Sequence, residues 1–227
     1  MGGLTQREWE VVAVPAHALL LDMSPLETLG FALGTSFASG LNVYATVAAA
    51  GLMQRLGLVH LPDTLQVLAH PIVLGLAGTL FIIEFIADKI PYVDSAWDAV
   101  HTFIRPPAAA VLSYSAFGNV PEEWKLGAAL LAGSVALTSH GAKASTRAAA
   151  NTSPEPVSNW ALSLFEDGLV VFLVWMAAEY PLLTAGIVIV LLILAVLLIR
   201  KLWKFSRQLA DRFRKRSKTQ PTSTTVT

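Results

Sequence analysis

The segment PLLTAGIVIVLLILAVLLIRK, residues 181–201, decides the class of the fold. It carries no charged side chain before Arg200 and Lys201. A helix needs about twenty predominantly apolar residues to cross the hydrocarbon layer of a bilayer, and this segment has that length. The sequence therefore predicts a transmembrane helix here, anchored at its end by two basic residues.

The composition of the whole chain agrees with a membrane location. The 227 residues are 54% hydrophobic and 14% charged, and none is cysteine. Ordinary soluble domains carry about 25% charged residues. This composition argues against a soluble enzyme, a disordered chain and a nucleic-acid-binding protein, and the lack of cysteine excludes disulfides and thiolate chemistry.

Five further stretches upstream have the length of spans, so we predict an all-α, polytopic bundle of five or six transmembrane helices. One of them, 97–117, is weak because Arg105, Pro106 and Pro107 interrupt it, and it is predicted to be kinked or re-entrant. In chain order the predicted spans are 26–56, 71–90, 97–117, 124–150, 160–178 and 184–199.

Three regions follow from this pattern. Residues 1–24 form an N-terminal interfacial segment rather than a signal peptide, because Glu8 and Glu10 lie in its charged part and Pro15 breaks its apolar part. Ser24 and Pro25 then provide an N-cap and a first helical residue. The transmembrane domain covers 25–203, and 204–227 is a basic tail that becomes disordered.

The charges predict an orientation. Nine basic residues lie between Arg200 and Lys218, with only Asp211 opposing them, and this excess of positive charge is typical of a cytoplasmic flank. Six crossings would place both termini in the cytoplasm, in a bacterial inner membrane.

A weak internal repeat appears at a shift of 101 residues, where Gly40 coincides with Gly141 and Ala48 with Ala149. With three spans per half, the halves 26–118 and 122–203 would enter the bilayer in opposite directions, as in many transporters. Packing of small residues in lipid explains the alanines and glycines equally well.

Polar residues recur on one face of each related span. The spacing i, i+4, i+7 in the first span is that of one helical face, and most of the shifted positions are again polar. We predict that these faces line a substrate path or binding site. The residues are Ser39, Asn42, Thr46, His140, Lys143 and Arg147.

Further charged residues fall within or beside the predicted spans, where an isolated charge costs roughly 2.5–3.5 kcal/mol on insertion scales. Acids and bases are therefore expected to pair between helices, as a charge network or a gate. The residues are Glu84, Asp88, Asp94, Asp98, His101, Arg105, Glu166 and Asp167.

Three functions compete at this point. The leading hypothesis is a small permease or channel for a small solute. The positive charges of Lys143 and Arg147 favour an anionic solute. The second is a structural or partner-binding protein whose charges form a salt-bridge network. The third is a metal-dependent membrane hydrolase with Asp94, Asp98 and His101 as weak metal candidates, but no HExxH motif or serine elbow accompanies them. We therefore expect no metal, no other cofactor and no catalytic residues.

The expected partners follow from the membrane location. They are the lipid bilayer itself, anionic lipid headgroups at the basic tail, and a second copy of the chain in a homodimer, because faces rich in alanine and glycine suit close helix packing. Nucleic acid is not expected.

Three runs also resemble a known family. They are SGLNVYAT at 39–46, EFIADKIP at 84–91 and HGAKASTR at 140–147, and the stretches 94–106 and 151–159 support them. Together they resemble a family of small bacterial integral membrane proteins of unknown function, over about 26–199. The resemblance implies a helical membrane protein and carries no activity or catalytic residue.

Overall fold

The computed structural model describes residues 23–90, 92–151 and 156–218. Throughout this part of the chain the regular structure is helical, which confirms the predicted all-α class. A 3₁₀ helix spans Asp63–Ala69. The α-helices are α1 (Pro25–Leu41), α2 (Val43–Arg55), α3 (Pro71–Ala87), α4 (Val93–His101), α5 (Arg105–Ala116), α6 (Glu122–Ala150), α7 (Pro156–Glu179) and α8 (Pro181–Lys218).

Helix α1 lies at the centre of the bundle, packed against α5, α6, α7 and α8. It begins as predicted, with a capping box between Ser24 and Glu27 and Pro25 in the first turn. Its glycines permit the close packing. A Cβ atom on Gly40 would overlap the Ala136 carbonyl of α6, so only glycine allows α1 to approach α6 this closely.

The predicted span 26–56 is two helices rather than one. Asn42 has extended backbone angles, φ −157° and ψ 102°, between α1 and α2. Thr35 of α1 and Thr46 of α2 border the same small cavity, so α2 folds back along α1. Beyond α2, Asp63 returns to a cavity beside Pro25. We call α1 and α2 together the hairpin, and its buried residues Leu41, Asn42 and Val43 the tip.

Helices α1 and α6 run in the same direction. Their N-terminal parts meet where Pro25 and Trp124 border one groove, and their C-terminal parts meet where Lys143 bonds to the Leu41 carbonyl. An inverted repeat needs these two segments to run in opposite directions. The inverted arrangement predicted from the 101-residue shift is therefore not the one found.

The start of α1 and the end of α8 lie at opposite ends of the bundle. Pro181 lies against Gly30 near the start of α1, and Ile199 lies against Gly141 near the end of α6. The start of α1 and the end of α8 are separated in this way because the hairpin returns to the end where it started. Both termini lie outside the described residues, so their predicted location on one side of the membrane stays a prediction. We call the end with Asp63, Glu122 and Glu179 the acidic end, and the other, where α8 continues through Arg200, the basic end.

Helix α8 also crosses the predicted boundary at 203–204 without a break and reaches Lys218. The predicted basic tail is therefore helical up to that residue. Residues 1–22 and 219–227 lie outside the described part of the chain.

Two helices in the described residues are long and apolar enough to cross a membrane, Asn159–Glu179 and Pro181–Phe205. A third candidate is the 3₁₀ helix with α3, which are bent by 66° relative to each other. Large apolar side chains are exposed on these helices, among them Ile72, Phe165 and Leu194. These features support a membrane protein, because lipid tolerates an apolar surface that water does not.

Candidate functional site

Seven charged side chains from five helices form an alternating series of acids and bases inside the bundle. All seven residues are buried, and each acid is followed in space by a base within salt-bridge distance. We call this series the charge chain. In spatial order its members are Asp98, Arg105, Glu84, Lys143, Asp88, Arg147 and Glu166.

Arg105, at the start of α5, joins the first three members. One guanidinium nitrogen lies 2.6 Å from Glu84 and 3.3 Å from Asp98. Pro106 and Pro107 follow it in the first turn of α5, where proline is tolerated because those N–H groups have no helical partner. The weak predicted span 97–117 is therefore two helices, with Arg105 at the break.

Lys143 and Arg147, one turn apart on α6, join the other members. The Lys143 ammonium lies 2.7 Å from Asp88 and 3.4 Å from Glu84. Arg147 lies 2.6 Å from Glu166 and 3.3 Å from Asp88. The expected pairing of acids with bases between helices is thus present. Both residues were also proposed to attract an anion, and in this structure carboxylates already hold them.

The charge chain meets the tip of the hairpin. Arg105 donates to the Gly40 carbonyl at 3.0 Å, and Lys143 donates to the Leu41 carbonyl at 3.1 Å. These carbonyls belong to the C-terminal end of α1, which carries partial negative charge and free acceptors. Two cations therefore satisfy a helix end that is buried in the protein.

Asn42 connects the tip to α2 and to α7. Its side-chain oxygen accepts from the Ala45 N–H at 2.9 Å and so caps α2. Its amide nitrogen donates to Asp167 of α7 at 3.2 Å. Asn42 was predicted to lie on the polar face of one continuous helix, and it is instead the residue that ends one helix and begins the next.

His140 lies between Arg105 and Asp98. Its Nδ1 is 2.6 Å from Arg105, whose guanidinium only donates, so Nδ1 accepts and the ring proton is on Nε2. Nε2 faces the Asp98 carbonyl at 3.0 Å and the Thr102 hydroxyl at 2.9 Å. The imidazole is therefore neutral. It contacts the backbone carbonyl of Asp98 on α4 and not the Asp98 carboxylate.

The three weak metal candidates do not converge. Asp94 is held by the Asn151 amide at 2.8 Å. His101 interacts with the Trp97 carbonyl at 2.8 Å and the Tyr44 hydroxyl at 3.2 Å. In the described ranges no group of three or more His, Asp or Glu side chains is arranged to hold a metal. The structure thus does not bring Asp94, Asp98 and His101 together as a group of metal ligands.

Two predicted path residues lie on the hairpin itself. Ser39 is fully buried, and its hydroxyl has no hydrogen-bond partner. Thr46 donates to the Asn42 carbonyl at 2.9 Å, which uses its hydroxyl locally.

A series of polar side-chain contacts towards the basic end was not predicted from the sequence. Asn151 bonds to Asp94, and Asn159 donates to Asn151 at 2.8 Å. Ser163, one turn further along α7, accepts from Lys89 at 3.3 Å. The spacing of Asn159, Ser163 and Glu166 along one helical face was the available signal.

Several buried carboxylate oxygens of the site have no hydrogen-bond partner. Both oxygens of Asp98 are in this group, with one oxygen each of Glu84, Asp88 and Asp167. The unpartnered donors of the site are the Nε atoms of Arg105 and Arg147 and the indole N–H of Trp97, and the Ser39 hydroxyl is also unpartnered. Among the described residues, the unpartnered carboxylate oxygens can accept a hydrogen bond or face a positive charge.

A cavity of about 340 Å³ lies at the acidic end, between the start of α1 and the loops before the 3₁₀ helix and after α5. Thr28, Asp63, Thr64 and Asn119 contribute polar groups to its wall. The smaller cavity between α1 and α2, bordered by Thr35 and Thr46, lies further towards the tip.

The comparisons with known proteins give a family without an assigned role. The sequence model described as "Domain of unknown function (DUF4126)" matches residues 29–201. No curated protein and no solved structure matches the chain.

Proposed function

Because the chain belongs to the DUF4126 family, whose function is unknown, we propose a role from its geometry: a small membrane permease or channel with its central site at the hairpin tip. The observation that carries the proposal is the meeting of the charge chain with the two helix ends at the tip. Transporters commonly bind their substrates where discontinuous helices end inside the membrane.

The proposed topology has five crossings, α3, α4 with α5, α6, α7 and α8, and a re-entrant hairpin. Irregular backbone at membrane depth is tolerated only where protein or a water-filled cavity surrounds it, and the tip is buried. The positive-inside rule places the basic end in the cytoplasm of a bacterial inner membrane. The start of α1 then lies on the opposite side.

The proposed path begins at the 340 Å³ cavity of the acidic end and follows the inner surface of the hairpin to its tip. At about 1.5 Å per residue, the 17 residues of α1 place the tip about 25 Å from that end. The path continues past the charge chain to Asp94 and Asn151.

The electrostatics favour a proton or a small cation over an anion. Each base of the charge chain is bound by carboxylates, and five buried carboxylate oxygens of the site have no hydrogen-bond partner among the described residues. An anion would have to displace a carboxylate from Lys143 or Arg147. The proposal therefore keeps the permease and changes the expected charge of its substrate.

Cysteine accessibility tests the path, because the natural chain has no cysteine. We expect Ser39→Cys and Ala144→Cys to react with a hydrophilic, membrane-impermeant thiol reagent, with rates that differ between the two sides. Leu194→Cys, at an exposed apolar position on α8, is the control that should stay unreactive in lipid. If Ser39→Cys and Ala144→Cys are inert from both sides in folded protein, no water-filled path exists.

A structural brace is the second candidate, and one observation favours it. The three bases are held by salt bridges of 2.6–2.7 Å across helices, the arrangement expected of a closed network. Inert cysteines at positions 39 and 144 would make the brace the better description.

A further inference from the structure

The charge chain contains more acids than bases. Four carboxylates alternate with three bases, so full ionisation leaves one net negative charge in the buried series. Asp167 adds another carboxylate beside the tip and binds Asn42, a neutral partner. Uncompensated buried charge is costly, and a bound proton removes it.

Asp98 is the least compensated member of the charge chain. Glu84, Asp88 and Glu166 each have a base at 2.6–2.7 Å. Among the described residues, Arg105 is the only base within salt-bridge distance of the Asp98 carboxylate, at 3.3 Å, and the same guanidinium nitrogen is closer to Glu84. Asp98 is 2% exposed, and neither of its oxygens has a hydrogen-bond partner.

The titratable groups around Asp98 are bound to other partners or shared with them. Arg105 faces it from α5, while His140 on α6 is neutral and directed at the Asp98 carbonyl. Lys143, also on α6, is bound by Asp88 and Glu84 of α3. On α4 itself, His101 interacts with Trp97 and Tyr44 instead.

We infer that the Asp98 carboxylate is the exchangeable proton site of the charge chain. Protonation forms one O–H bond on the carboxylate with a proton taken from water, and release returns that proton to water. When Asp98 is neutral, Arg105 pairs with Glu84 alone. When Asp98 is ionised, it competes with Glu84 for the same guanidinium. Because Arg105 also holds the Gly40 carbonyl, the protonation state of Asp98 acts on the hairpin tip.

This inference rests on the proposed permease for its purpose, since a proton site beside the tip would couple solute movement to protons. It is measurable without any transport. The readout is the carbonyl stretch of a neutral carboxylic acid in infrared spectra of the full chain in lipid, followed as the pH is raised.

We expect the wild-type protein to show this band near neutral pH and to lose it in alkaline solution. Asp98→Asn should lack the band, and Asp98→Glu should restore a titrating band. Asp63→Asn, which removes an exposed carboxylate at the acidic end, should retain it. Asparagine has nearly the shape of aspartate, and a thermal melt of each variant checks that it is folded.

Two results would overturn the inference: no band in the wild-type protein, or a band that persists in Asp98→Asn. If the persisting band is lost in Asp167→Asn, the proton site is Asp167 instead. The outcome is separate from that of the cysteine experiment. A band at Asp98 together with inert cysteines would support the proton site and contradict the permease. Reactive cysteines without the band would support the permease and contradict the proton site.

Discussion

Individual side chains in this bundle differ sharply in what their removal should cost. Arg147 is completely buried between Asp88 and Glu166, whereas Arg55 is exposed and bonds only to the Ala69 carbonyl. Removing one member of a buried ion pair leaves an uncompensated charge, which costs about 3–5 kcal/mol. Removing an exposed arginine usually changes stability by about 0.5 kcal/mol or less.

The first prediction compares these two arginines. Arg147→Met should lower the free energy of unfolding by about 3–5 kcal/mol, because Asp88 and Glu166 lose a shared partner. Arg55→Met is the matched control and should stay close to wild type. Denaturant unfolding in detergent, followed by tryptophan fluorescence, measures both, and equal losses would contradict the assignment of Arg147 to a buried network.

The second prediction concerns Gly40, where a Cβ atom would overlap the Ala136 carbonyl and the Ser139 hydroxyl. A backbone carbonyl cannot rotate away, so Gly40→Ala should separate α1 from α6 and destabilise the protein by about 1–3 kcal/mol. Gly75→Ala is the control, because nothing lies within 4 Å of its added Cβ atom. It should be neutral or stabilising by up to about 1 kcal/mol. A thermal midpoint of Gly40→Ala at or above that of Gly75→Ala would refute the close packing.

At the scale of elements, local sequence signals have opposite effects in the hairpin and in α8. The asparagine that caps α2 also breaks the predicted first span, and its bond to Asp167 ties the turn to α7. Helix α8 does the opposite and continues through its basic residues without a break. Arg200, Lys204 and Arg207 border one surface groove with Trp203, and the Arg207 guanidinium lies 4.2 Å from the Trp203 ring centre.

The third prediction assigns this part of α8 to anionic lipid headgroups. Basic residues next to a membrane gain about 1 kcal/mol each from an anionic surface. Replacing Arg200, Lys204 and Arg207 together by Gln should therefore reduce the rise in thermal midpoint that phosphatidylglycerol gives over phosphatidylcholine. The double change of Arg55 and Lys125 to Gln, at the acidic end, should leave that rise intact. An undiminished rise in the triple variant would exclude the groove at Arg200, Lys204 and Arg207 as a headgroup site.

At the scale of the whole molecule, the hairpin determines which side of the membrane each end faces in the proposed topology. It enters and leaves at the acidic end, so five net crossings remain in the proposed topology. The acidic end carries Asp63, Glu122 and Glu179, and the basic end carries the continuation of α8. This division of charge agrees with the positive-inside rule once the hairpin is counted as re-entrant.

The fourth prediction tests this topology with exposed positions. In sealed vesicles of known orientation, Asn119→Cys and Ser24→Cys should react with an impermeant thiol reagent from one side. Gln208→Cys should react from the other, cytoplasmic side. All three positions are exposed, so lack of access is not a cause of failure. Labelling of Ser24→Cys and Gln208→Cys from the same side would rule out the odd number of crossings.

The sequence by itself determined what depends on neighbouring residues. The apolar run before Arg200 predicted the helix that became α8, Ser24 and Pro25 predicted the start of α1, and the burial cost of charge predicted ion pairs. Asn42 was also readable in principle, since asparagine is a favoured N-cap. Its position inside an apolar run hid that role.

Only the tertiary structure decided which way α2 runs, which acid pairs with which base and which ends of the helices lie together. A single extended residue allows α2 to continue or to turn back, and the difference depends on packing against the 3₁₀ helix, α3 and α7, of which α7 lies more than 100 residues further along the chain. The same holds for Asp98, whose only base among the described residues belongs to a different helix and is shared with Glu84. Hydropathy and capping act over a few residues, whereas burial of charge is settled by contacts between helices that lie far apart in the sequence.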